Sequence, residues 1–95
     1  MYRHGDLLIV KAQIPPSARV VKDSIIAHGE VTGHAHRVTG ATVLEREDVC
    51  YINAPFGAAV VHEEHATIAL PPGEYKVIRQ REYDPYERAA RQVAD

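Results

Sequence analysis

Hydrophobic positions in this chain come in short runs broken by turn-forming residues, and most of them alternate with polar positions. Alternation places successive side chains on opposite faces of a strand, so it predicts half-buried β-structure. Leu7-Leu8-Ile9-Val10-Lys11-Ala12 follows a Gly5-Asp6 turn and reads as a buried strand. Pro15-Pro16-Ser17 breaks the chain. Arg19 to Lys22 and Ser24 to Ala27 then predict two strands around Asp23, or one strand bulged there. A longer strand is expected over Val31–Thr39, ended by Gly40, with Ala41–Arg46 as its hairpin partner. Glu47-Asp48 is a turn, Val49–Ile52 a strand, Asn53–Gly57 a loop, and Ala58–His62 a strand. Ala66–Leu70 leaves the next turn, and Pro71-Pro72-Gly73 reverses the chain into Glu74–Arg81. There Tyr75, Val77 and Arg79 alternate with Lys76, Ile78 and Gln80, as in an antiparallel strand with one face buried.

Only the last dozen residues change period. Asp84 stands at an N-cap, Pro85 at the first helical position and Glu87 at the third, and Tyr86, Ala89, Ala90 and Val93 recur at helical spacing. The expected organisation is therefore an antiparallel β domain over residues 1–83, a small barrel or sandwich. One short helix over 84–95 would pack on it or on a neighbouring subunit. Gln80-Arg81-Glu82-Tyr83, ahead of that helix, reads either as a solvated strand end or as a subunit contact anchored by Tyr83 and Tyr86.

Composition narrows the function. A single domain of 95 residues that is 45% hydrophobic has enough apolar material for one core, drawn from Val, Ile, Leu and Ala because Trp is absent and Phe occurs once. A net charge of −2 leaves no electrostatic footprint for nucleic acid. No apolar stretch approaches membrane-spanning length and the first residues lack the apolar run of a signal peptide, so a cytoplasmic location is expected. One cysteine, Cys50, excludes an intrachain disulfide and a thiolate zinc knuckle, and its apolar strand context suits an inert thiol.

Histidine is the residue that stands out. Of six in the chain, four fall in two pairs, His34 with His36 and His62 with His65. On a strand His34 and His36 share a face. His62 and His65 would share one if Glu63 and Glu64 formed a two-residue hairpin turn. Four convergent imidazoles suit one divalent transition metal, Zn, Fe, Ni or Cu, and such a site should weaken below about pH 6 as the rings protonate. Glu45, Glu63 and Glu64 are the carboxylates near enough in sequence to complete or support the shell. His4, ahead of the first apolar run, reads as a solvated or loop-packing side chain.

The His34-Ala35-His36 pair behind a glycine-bearing strand start resembles the first metal motif of the cupins, and Pro55-Phe56-Gly57 followed by His62 is similar to their second. That resemblance implies one divalent metal inside a small jelly-roll barrel. The position of the cupin glutamate, five residues beyond His36, holds Ala41. The wider pattern from Gly29 through Tyr83 also resembles small bacterial proteins of unassigned function. Three functions follow. One is a metal-binding β domain whose ion stabilises the fold or a homo-oligomer. A second is a cupin-like metalloenzyme acting on a small oxygen-rich molecule. The third is a metal-free interaction module. The HEEH spacing is one short of the zincin helix motif and Ser17 and Ser24 lack a nucleophile elbow, so the reading leans away from an enzyme.

Overall fold

The structure, a computed structural model, describes residues 1–28 and 35–79. Ten strands account for most of them: β1 (Tyr2–His4), β2 (Leu7–Lys11), β3 (Arg19–Val21), β4 (Ile25–His28), β5 (Ala35–Thr39), β6 (Thr42–Arg46), β7 (Val49–Ala54), β8 (Ala58–Val61), β9 (Ile68–Leu70) and β10 (Gly73–Arg79). Among the described residues there is no helix, and so none long and apolar enough to cross a membrane. The expected helix over 84–95, like Tyr83 and Tyr86, lies outside the described residues.

The strands form two antiparallel sheets, a six-stranded one in the order β1-β2-β10-β7-β6-β3 and a four-stranded one in the order β4-β5-β8-β9. Among the described residues their edges do not join, so the architecture is the sandwich alternative and not a closed barrel. Leu7, Ile9, Val43, Ile52, Ala54 and Tyr75 from the larger sheet meet Ile26, Val38, Val60 and Leu70 from the smaller one in a single core. Each fully buried side chain of Leu or Ile size contributes about 1.5–3 kcal/mol relative to exposure. The alternation expected at Glu74–Arg81 places β10 centrally, with Tyr75 fully buried and paired to Lys11 on one side and Ile52 on the other.

Chain crossings between the sheets coincide with turn chemistry. At Asp23, Oδ1 accepts the Ile25 N–H at 3.2 Å, an Asx turn that ends β3 in one sheet and starts β4 in the other. This resolves the two-strand alternative, and a further register shift falls between Ile25 and Ala27. Gly40, at φ +82°, turns β5 into β6 and corrects one expectation. Thr42–Arg46 is not the hairpin partner of the histidine strand. It pairs with β3 and β7 in the opposite sheet, whereas β5 pairs with β4 and β8. Gly57 at φ +87° makes the crossing from β7 to β8, where a Cβ would stand 3.0 Å from the Leu70 carbonyl oxygen. Both the positive φ and that close approach require glycine.

A buried histidine cluster between the sheets

Each histidine of the cluster arrives on a different piece of the fold. His36 is the second residue of β5 and lies on the same inward face as Val38; both are 1% exposed. His62 follows the last residue of β8, and His65 sits in the connection 62–67 that leads into β9. This connection corrects a second expectation. The pairing of Val60 with Ile68 makes it a wide loop, so His62 and His65 are not opposed across a two-residue turn. The loop instead bends until their ring centroids are 4.5 Å apart. His4, the final residue of β1, reaches the cluster from the other sheet and is 2% exposed. His34 lies outside the described residues.

One ligand nitrogen from each of His36, His62 and His65 lies within 4.8 Å of the other two. Ring centroids of His36 are 4.4 Å from His62 and 5.7 Å from His65, the latter nearly parallel at 14°. The cluster is thus assembled within one chain from His36 and a loop whose histidines lie 26 and 29 positions further along the sequence.

Hydrogen bonding decides which nitrogen of His36 faces inward. His4 Nε2 lies 3.0 Å from the Ala66 carbonyl oxygen, which only accepts, so that nitrogen carries the proton. Burial, reinforced by the neighbouring His65 and His62, lowers the His4 pKa against the opposing pull of the Ala66 hydrogen bond, and the ring is neutral near pH 7. Its Nδ1 is then an acceptor, and His36 Nδ1, 2.8 Å away, donates to it. The remaining nitrogen of His36, Nε2, is buried, has no hydrogen-bond partner among the described residues and presents a lone pair. Asp6 Oδ1, on the turn between β1 and β2, stands 3.8 Å from it.

At His62 the Glu64 N–H donates to Nδ1 at 3.0 Å. Coordination through Nε2 of His62 therefore requires the ring to exchange tautomer and release that amide. Desolvation first, then the positive character of His62, His4, His65 and Arg79, pushes the His36 pKa down to about 4. His36 is consequently uncharged at neutral pH, the form a metal needs.

The carboxylates have other positions than the spacing alone suggested. Glu63 clamps the loop to β5, accepting the Ala35 N–H at 3.1 Å through Oε1 and pairing with Arg37 at 3.2 Å through Oε2. Glu45 lies on β6 of the other sheet, 3.7 Å from Arg19. Asp6 and His4 are the two residues that sequence spacing passed over. His4, expected as a solvated or loop-packing side chain, is instead buried, because it pairs with Leu7 across the hairpin and shares its inward face. Cys50 is half-buried, and burial with the Glu45 carboxylate pushes its thiol up to about 11, as fits an inert side chain.

The family described as Domain of unknown function (DUF8820) matches residues 3–80. The chain belongs to that family. The matched span takes in every strand from β2 to β10 and all of His4, His34, His36, His62 and His65, so the cluster lies wholly inside the DUF8820 domain. The likeness to small proteins of unassigned function is thereby shown, and the family that matches is not the cupins. No curated protein and no solved structure matches the chain.

Proposed function

We propose that this domain binds one divalent transition-metal ion, Zn, Fe, Ni or Cu, through His36, His62 and His65, and that the ion stabilises the fold. The observation that carries this reading is the meeting of three imidazole nitrogens within 4.8 Å of one another, two of them on buried rings and the third on half-buried His65. Burying that much nitrogen lone-pair density between two sheets is costly unless a cation or proton satisfies it. The proximity of Asp6 Oδ1 to the bare His36 Nε2, 3.8 Å, adds negative potential that favours a cation there.

Metal–nitrogen bonds of about 2.0–2.1 Å in a tetrahedral shell put neighbouring ligand atoms about 3.3 Å apart. The rings must therefore close by up to about 1.5 Å, and His65, on the loop, is placed to move. His34 is retained as a fourth ligand by the same-face argument from its sequence position. A closed set of four histidines makes a structural centre, and three with water make an open one. The ligands come from β5 and from the loop after β8, so an ion would fasten that loop to the sheet.

The test is elemental analysis of untagged protein, with thermal unfolding before and after chelation. About one equivalent of metal and a melting temperature that falls on chelation are expected, and His36→Ala should lose both. Protein that takes up none of Zn, Ni, Cu or Fe(II), and whose melting temperature ignores them, overturns the reading.

A further inference from the structure

The β1–β2 hairpin belongs to the opposite sheet from the three candidate ligands, yet it inserts His4 among them. Both of its ring nitrogens are already committed, Nδ1 to His36 at 2.8 Å and Nε2 to the Ala66 carbonyl at 3.0 Å. A ring so engaged cannot ligate without abandoning a hydrogen bond. It can instead orient its neighbour.

We propose that His4 is a positioning residue: by holding the Nδ1 proton of His36 it fixes the His36 tautomer and aims Nε2 at the ion. The inference rests on the metal reading above for its purpose, but the tautomer is a property of the metal-free protein. The chain runs Ala66 C=O ← H–Nε2 of His4, then Nδ1 of His4 ← H–Nδ1 of His36. Its one polarity is set by the carbonyl, which can only accept. Without it, His36 would distribute its proton over both nitrogens and its ring would rotate more freely. A hydrogen-bonded partner behind a ligating histidine fixes tautomer and ring orientation and raises basicity, and losing one typically costs about 10–100-fold in metal affinity. Ala66 lies one residue beyond His65, so the same hydrogen bond also ties the ligand-bearing loop to β1 of the other sheet.

Two substitutions separate this role from packing and from direct ligation. His4→Asn keeps an oxygen acceptor at the position of Nδ1, and His4→Leu keeps bulk without an acceptor. Ring nitrogen NMR of the metal-free wild type should show His36 protonated at Nδ1, and His4→Leu should convert it to a tautomer mixture. Co(II) and Zn(II) titrations should show affinity lowered about 10–100-fold in His4→Leu. His4→Asn should recover most of that loss and leave the Co(II) visible spectrum unchanged. Finding His36 protonated at Nε2 in the wild type overturns the proposal, whether or not any metal binds. So does wild-type affinity in His4→Leu, an equal loss in both variants, or a Co(II) spectrum that loses a nitrogen ligand in His4→Asn. A wild type that binds no metal refutes the proposed function, while the tautomer measurement still decides this one.

Discussion

Individual side chains in the cluster hold unlike roles although all are imidazoles. On the proposed metal reading, His36 is prepared to ligate, with Nδ1 tied to His4 and Nε2 without a hydrogen-bond partner among the described residues, whereas the Glu64 amide holds His62 in the opposite tautomer. Metal binding should therefore show itself first at His62, as loss of the Glu64 N–H hydrogen bond. Addition of Zn(II) should move the Glu64 amide resonance more than that of Tyr75, in the centre of β10; an unmoved Glu64 amide would mean that His62 does not ligate through Nε2. Glu63 offers a second test at this scale. Glu63→Gln keeps an acceptor for the buried Ala35 N–H and removes the charge from the half-exposed pair with Arg37, so urea unfolding should change by under about 1 kcal/mol. Glu63→Ala takes the acceptor from that amide and should cost about 1–3 kcal/mol. Equal costs would place the clamp in the ion pair and not in the amide.

Elements are shaped by their turns more than by the strands between them. The hairpin joining β6 and β7 turns through Glu47 at φ +50° and Asp48 at φ +65°, both left-handed, with Arg46 paired to Val49. Those values describe a type I′ turn, which matches the twist of the flanking strands and prefers Asn-Gly. Two acidic side chains with positive φ are an expensive choice there. Glu47→Asn with Asp48→Gly should raise stability by about 1 kcal/mol in denaturant melts and leave any metal uptake unchanged, because the hairpin lies in the sheet opposite the candidate ligands His36, His62 and His65. A decrease would show that the acidic pair is held by contacts other than the turn geometry.

For the molecule as a whole, the buried histidines couple folding to pH. His36 titrates near 4 when folded and near 6.5 when unfolded, so between those values the unfolded chain binds more protons. Its contribution is fully present above pH 6.5 and is lost as pH falls toward 4, on the order of 3 kcal/mol across the window. His4 is shifted in the same direction and adds to the effect. Metal-free protein should thus lose stability steeply between pH 6.5 and 4, and His36→Leu should flatten that profile. A slope unaffected by His36→Leu would assign the acid sensitivity elsewhere.

Local sequence was enough to determine that the described residues are antiparallel β-structure, because alternation and turn residues act over two to four positions. It also singled out His34, His36, His62 and His65, whose pairing at short spacing is visible without any fold. Which strands pair was not legible, since the crossing at Gly40 sends β6 to the other sheet and nothing in Ala41–Arg46 itself says so. Pairing depends on which apolar faces meet in the shared core, a property of the assembled sandwich. The same limit explains His4 and Asp6. They stand within three residues of the start of β2, and only the packing of that hairpin against β5 and the 62–67 loop makes them neighbours of His36. The tautomer of His36 is decided further away still, by a carbonyl oxygen at Ala66, and only the tertiary structure closes that distance.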